Sequence, residues 1–400
     1  MGLIYFFFET WYGGLITMVI ASVIIAKACD VFEASTDYLG RNLNTGVKGA
    51  TLNAIGSSMP EFLTTVFFLA FALHANLGRD LAASVGGDTG SAIFNSIIIP
   101  MVVIWMVLAT VAGVKGIKIA KAVILRDGLF LIGAEILLLV LLSSDYITQW
   151  HGWAFTVFYF IYLSYTLLKM KKGDVEEEDE EEEEPDSWYE KFLFKNKNGR
   201  TGRSWALLIF STIVLAIGAA GLVEASKGIA YAMGINPLFV ALILVAAASS
   251  IPDTIISLKD AKKGNYDDAL SNVLGSNIFD ITISMGLPLA VFLLITGDRI
   301  DFRDAGPTLV DIRVMLLTVT AITIAIYYFS KELNMKHVVL LGILYTLFIL
   351  YAVGAAAYYA DPSSTNILAQ GAGVFIEFLR QPGGIGEFLN TLANYLTGSW

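Results

Sequence analysis

Ten stretches of this chain, about 11–34, 47–73, 81–110, 119–142, 150–169, 204–232, 237–259, 265–296, 310–330 and 336–358, are apolar over the length that a bilayer crossing requires. About 20 predominantly apolar residues span the hydrocarbon core as a helix, because no water is present there to satisfy unpaired backbone amides and carbonyls. The pattern therefore predicts an all-α polytopic membrane protein with ten transmembrane helices, solvated mostly by the lipid bilayer. Composition agrees: 56% of the 400 residues are hydrophobic and only 16% are charged. The net charge of −10 is a local matter, since nine acidic residues form one run at 176–184, and without them 27 acidic residues face 26 basic ones. Nothing in that balance points to nucleic acid. The single cysteine, Cys29, excludes an internal disulfide framework. No Lys or Arg precedes Lys27, so the N-terminal apolar stretch lacks the basic region of a signal peptide.

Basic residues are retained on the cytoplasmic side of a membrane, and this orients the spans. The loops after spans one, three, five, seven and nine carry 19 of the 26 Lys and Arg residues, among them Lys115, Lys118, Lys121 and Arg126, and Lys259, Lys262 and Lys263. Both termini are thus expected outside the cytoplasm and the acidic run inside it. Nine consecutive like charges repel one another and bury no core, so that run reads as a solvated tether.

Self-comparison shows one pattern twice. VFEAS (31–35) recurs as LVEAS (222–226), GSSMPE (56–61) as ASSIPD (248–253) and GSAIFN (90–95) as GSNIFD (275–280), in the same order, at offsets of 191, 192 and 185. Each copy holds five spans, and an odd number sets the second copy upside down relative to the first. Inverted repeats with ion sites near the midplane, on interrupted helices, are a signature of secondary transporters. The expected organisation is a first five-helix repeat over 1–170, a cytoplasmic acidic linker over 171–203, a second five-helix repeat over 204–358 and an amphipathic extracytoplasmic tail over 359–400. In the tail, Phe388, Leu389, Leu392, Tyr395 and Leu396 recur at helical spacing, but QPGG (381–384) breaks the segment into pieces too short to cross.

A charge at the bilayer centre costs about 2.5–3.5 kcal/mol on insertion scales, so Glu61 and Asp253 need a reason to be where they are. Pro60 and Pro252 lack an amide hydrogen and clash with the carbonyl four residues back, which frees carbonyls near Gly56 and Ala248. Ser57, Ser58, Ser249 and Ser250 add hydroxyl oxygens at the same level. A ligand set of carboxylates, carbonyls and hydroxyls suits hard cations such as Ca²⁺. Gly90, Ser91, Gly275 and Ser276 are small enough for close helix crossing, and Asn95 and Asp280, one turn on, would face the same centre. A buried, protonated packing group is the competing account of an intramembrane carboxylate. It stays open for Glu135, which has no repeat partner, whereas Glu33 and Glu224 repeat near helix ends and read as structural.

At these residues the chain resembles the cation/calcium exchanger superfamily, whose two repeats each carry a G-[ST]-S-x-P-[ED] segment followed by G-S-[NA]-x-F-[ND]. Glutamate in the first copy, aspartate in the second, and GSAIFN followed by GSNIFDIT look most like its potassium-dependent sodium/calcium exchanger branch. The resemblance implies Ca²⁺ held between Glu61 and Asp253 with help from the Ser57 and Ser249 carbonyls. It implies Na⁺ on those carboxylates together with Ser58, Ser250, Ser91, Ser276 and the carbonyls of Ala54 and Ala246, with Asn95 and Asp280 flanking the centre. Two departures stand out: Gly87 replaces the residue matched by Asn272, and FALHANLGRD (71–80) lengthens the approach to span three.

The expected activity is exchange of Ca²⁺ for Na⁺ by alternating access, with no prosthetic group and inorganic cations as the partners. Calcium/proton exchange on the same carboxylates is the alternative. An intramembrane enzyme is remote, because no GxSxG or HExxH motif is present. Ionised Glu61, Asp253 and Asp280 would leave a charge of −1 after one Ca²⁺ binds, and either K⁺ beside Asp280 or a proton on it would restore neutrality.

Overall fold

A computed structural model describes residues 10–39, 54–71, 77–111, 113–170, 187–194, 200–303 and 305–398. The acidic run at 176–184 and residues 40–53, which include most of the loop expected between spans one and two, lie outside the described residues. Helix α1 (Trp11–Leu39) is followed by a broken pair, α2 (Ala54–Ser57) and α3 (Met59–Ala70), by the long α4 (Leu77–Thr110), and by α5 (Lys121–Leu141) and α6 (Gln149–Met170). The short α7 (Trp188–Phe194) precedes α8 (Arg200–Met233). The next crossing is segmented into α9 (Pro237–Val240), a π turn at Ala241–Val245, α10 (Ala246–Ser249) and α11 (Ile251–Lys262). Helix α12 (Tyr266–Phe279) passes through a second π turn at Asp280–Ser284 into α13 (Met285–Thr296). Then come α14 (Gly306–Phe329), α15 (Met335–Ala360), α16 (Ile367–Arg380) and α17 (Ile385–Thr397).

Among the described residues, seven helical segments are long and apolar enough to cross a membrane: Trp11–Thr36, Leu77–Thr110, Arg200–Met233, Pro237–Lys262, Tyr266–Thr296, Leu309–Phe329 and Met335–Ala360. The other three expected spans are helical but fall short of that standard for local reasons. Described residues give α3 only 12 residues, α5 carries Lys121, Arg126, Asp127 and Glu135, and α6 begins with the polar Gln149 and His151. Two boundaries move from expectation. Helix α4 starts at Leu77, and α8 starts at Arg200, whose carbonyl accepts from Ser204 Oγ at 3.0 Å and whose guanidinium sits over the Tyr38 ring. A minimal antiparallel pair, β1 (Tyr146–Ile147) with β2 (Ile300–Asp301), corrects the purely helical expectation. One isolated bridge joins Ile117 to Leu333.

Small residues set the closest helix crossings, as membrane packing demands. Helices α1 and α8 lie against each other over most of their length. A Cβ on Gly14 would come within 2.5 Å of Ile229, and one on Gly218 within 2.7 Å of Ile25. Their outer faces expose Val19, Val23, Ile213 and Ile217, side chains suited to lipid. Helices α6 and α13 cross where Gly152 meets the Gly286 carbonyl. Helices α3, α4 and α10 to α13 form the centre of the molecule. In the tail, α16 packs on α15 and α17 on α5, with Gly383 (φ +74°) making the turn between them. Asn390 and Asn394 donate to the two oxygens of Asp145 at 2.8 and 3.1 Å, which fixes the tail to the 142–148 loop. Both tail helices are too short to cross, and their exposed Phe388, Tyr395 and Leu396 lie beside a buried Leu389.

Candidate cation site

The two Ser-Ser-x-Pro segments break their helices alike. Ser58 (φ −92°, ψ 7°) separates α2 from α3, and Ser250 (φ −79°, ψ 3°) separates α10 from α11. Pro60 and Pro252 then occupy the opening turn of the new helix, where a missing amide hydrogen costs no helical bond. Glu61 and Asp253 fall in that same first turn, where the positive end of the helix dipole favours a carboxylate.

Helix α4 and the α12 to α13 crossing supply the remaining residues. Oxygens of Glu61, Asp253 and Asp280 all lie within 4.8 Å of one another, and each side chain is at most 1% exposed. Ser276 donates to Asp253 Oδ1 at 2.8 Å and lies 2.5 Å from the Ser58 hydroxyl. Asn95 Nδ2 donates to Asp253 Oδ2 at 3.0 Å. Ser91 Oγ is 3.2 Å from Glu61 Oε1, 3.3 Å from Asp280 Oδ2 and 2.9 Å from Ser250 Oγ. Ser249 stands near Glu61, and Ser57 near Asp253. The structure thus gathers the three carboxylates, Asn95 and all six serines at one place, with partners crossing between the two halves of the chain.

The expected carbonyl ligands behave differently. Ala246 O accepts from Ser250 N at 3.1 Å and from Ser249 Oγ at 3.3 Å, so it is engaged in the helix before any ion comes near. Ala54 opens α2. The Gly56 carbonyl, freed by Pro60, has the Cys29 thiol 3.8 Å away. Glu61 Oε2, Asp280 Oδ1 and Asn95 Oδ1 are buried without a hydrogen-bond partner. Three unpaired buried oxygens at one point carry a desolvation penalty that a hard cation relieves. None of the ion pairs among the described residues includes Glu61, Asp253 or Asp280.

The other carboxylates stand apart from this centre. Glu33 lies 3.7 Å from Lys259 and Glu224 is exposed, so their sequence match is not a shared role. Glu135 accepts from Thr320 at 2.7 Å and keeps its second oxygen unpaired. Sequence reasoning passed over Asp88, buried on α4, because its match in the second copy is Val273. The signal was present nonetheless: Ser84, Asp88, Ser91 and Asn95 recur at helical spacing within an apolar run. Gly90 is required where it is, since a Cβ there would lie 1.9 Å from the Leu242 carbonyl.

A family model described as sodium/calcium exchanger protein matches residues 13–168 and 203–354. An uncharacterized membrane protein of Methanocaldococcus jannaschii is 29% identical over 261 residues, 65% of this chain and 76% of that one. Sodium/potassium/calcium exchanger 3 of Homo sapiens is 28% identical over 193 residues, covering 47% of this chain and 30% of the human one. Among solved structures, an H⁺/Ca²⁺ exchanger, CAX, superposes with a TM-score of 0.66 at 14% identity, over 96% of this chain and 92% of that one. The sodium-calcium exchanger NCX_Mj gives 0.52 at 23% identity, over 84% and 97%. At these identities the two structures speak for the fold.

Proposed function

The chain belongs to the sodium/calcium exchanger protein family, and from that premise we propose that it is a secondary antiporter exchanging Ca²⁺ for Na⁺ at the Glu61–Asp253–Asp280 centre. The observation that carries this is the meeting of three buried carboxylates, drawn from both halves of the chain, with unpaired oxygens among them. A divalent ion leaving water needs matching charge in a low-dielectric site, and Glu61 with Asp253 supplies it. Sodium is favoured over protons as the counter-ion by Ser58, Ser91, Ser250 and Ser276, neutral oxygens that ligate an alkali cation and would serve a proton poorly. Because both cations use the same carboxylates, one leaves as the other arrives.

Alternating access follows from a ten-span arrangement of two inverted five-helix repeats, α1 to α6 and α8 to α15, with α3, α4 and the 237–296 crossings around the centre. Its sidedness is supported by which loops join. Strands β1 and β2 connect two loops assigned to the outside, and the Ile117–Leu333 bridge connects two assigned to the cytoplasm. The tail docks on the outer loop at Asp145. The human relative's name gives K⁺ a place here: a monovalent ion beside Asp280 would neutralise the charge that one Ca²⁺ leaves. The decisive experiment measures Ca²⁺ flux in proteoliposomes with Na⁺, H⁺ and K⁺ gradients imposed one at a time. Sodium-driven flux at constant pH is expected, and flux driven only by protons would replace this assignment with calcium/proton exchange.

A further inference from the structure

Along α4 from Ser91, toward the Leu77 end, Asp88 is 4% exposed. Ser84, Asp88, Ser91 and Asn95 share one face of that helix, and Glu61 and Thr65 share the face of α3 that meets it. Contact runs along both: Ser84 donates to Thr65 at 2.9 Å, Thr65 lies 3.5 Å from Asp88 Oδ2, and Ser91 donates to Glu61 Oε1 at 3.2 Å. A single hydrogen bond at the limit of hydrogen-bonding distance does not compensate a buried carboxylate, whose desolvation costs several kcal/mol. Help from a basic side chain is also lacking, because Lys227 is engaged by Asp80 at 2.9 Å and no ion pair among the described residues reaches Asp88. Glu61 Oε2, one turn along α3 from Thr65, is buried without a hydrogen-bond partner.

Charge counting sharpens the point. With Asp88 ionised beside Glu61, Asp253 and Asp280 the group carries −4, and one Ca²⁺ leaves −2. Resting on the exchange reading above, we propose that Asp88, Thr65 and the unpaired oxygen of Glu61 form an additional monovalent-cation site, filled by Na⁺, next to the Ca²⁺ position. Two carboxylate oxygens and a hydroxyl are hard ligands of the kind an alkali cation takes. The second copy offers no carboxylate in its place, since Val273 stands at the matched position 185 residues on. The twofold pattern is therefore broken in favour of one extra sodium on the first-copy side.

The test is displacement of bound radioactive Ca²⁺ by Na⁺ in the purified full-length protein at fixed pH, in wild type, Asp88→Asn, Asp88→Val and Asp88→Glu. Valine is a fair second variant because Val273 is buried at the matching register. In the Asn and Val variants the Hill slope of displacement should fall by about one, read at each variant's own Ca²⁺ half-saturation, and the Glu variant should restore the slope. Parallel curves in wild type and Asp88→Asn would overturn the site alone, and they are also what a permanently protonated Asp88 gives. Loss of Ca²⁺ binding in a folded Asp88→Asn would equally overturn it, by placing Asp88 on the calcium. Wild-type Ca²⁺ that Na⁺ fails to displace at any concentration would instead overturn the exchange assignment.

Discussion

Ser58 and Ser250 interrupt their helices at nearly the same dihedrals, but the helices that cross behind them are not alike. In the first half, α4 runs for 34 residues without a break through Ser91 and Asn95. In the second, the matching crossing changes to a π turn beginning at Asp280. A π turn widens the helix by one residue and loosens its ladder of hydrogen bonds, so the second half carries local slack at Asp280 where the first keeps a regular ladder through Ser91 and Asn95. Glycine use follows the same division. Gly90 sits hard against the Leu242 carbonyl of the other π turn, whereas a Cβ on Gly275 would meet only the Tyr162 hydroxyl, at an ordinary 3.5 Å. The proline breaks and their carboxylates have been kept alike in the two halves while packing has diverged.

The largest expected effects test the equality. Glu61→Gln and Asp253→Asn should each lower Ca²⁺ uptake in proteoliposomes by at least about 100-fold, with the protein still folded and inserted, because either change leaves a divalent ion short of a buried charge. Near-normal uptake by one variant would show that the halves contribute unequally. Gly90→Ala and Gly275→Ala test the divergence. The first should destabilise the detergent-purified protein by about 1–3 kcal/mol through overpacking, and the second by less than about 0.5 kcal/mol. Equal shifts in thermal unfolding would mean that the two crossings tolerate bulk alike. Asp280→Asn sets the second half's charge to the first half's amide at Asn95. Potassium should stimulate sodium-driven Ca²⁺ flux by about threefold in wild type and not in the variant; equal wild-type flux in choline and in K⁺ would remove potassium from the mechanism. Smallest of all, deletion of 174–186 should leave flux within about twofold, since nine consecutive like charges repel one another and disfavour burial. A strong change in the Ca²⁺ dependence of rate would make that run a sensor.

How far the sequence disclosed this site depends on the kind of signal. Glu61 and Asp253 announced themselves through a repeated proline context, and Ser91, Ser276, Asn95 and Asp280 through a second repeated motif. Asp88 has no counterpart, so comparison of the copies was blind to it, although its spacing from Ser84 and Ser91 was in view. The π turns at Ala241–Val245 and Asp280–Ser284 had no legible cue. Their residues are good helix or strand formers, and the first turn lies where the backbone of Gly90 comes close to the Leu242 carbonyl, a contact between distant parts of the chain. The Ala246 carbonyl shows the opposite limit: proline placement correctly locates a break, but which oxygens remain free is decided by donors such as Ser249 and Ser250 nearby in space.

Ser91 holds a further consequence. Its hydroxyl has one hydrogen to give, yet Glu61, Asp280 and Ser250 all lie within reach of it, and Asn95 Nδ2 approaches to 3.5 Å from the donor side. Three groups within reach of one hydroxyl hydrogen give it alternative partners, so no single bond is one that an arriving ion must break. Rotation about one Cα–Cβ bond passes the hydrogen from one acceptor to another in picoseconds to nanoseconds, far faster than helices move. On the exchange reading proposed above, the centre would re-solvate each new occupant from within, like a liquid shell of one molecule, and leave the slow step of a cycle to the surrounding helices.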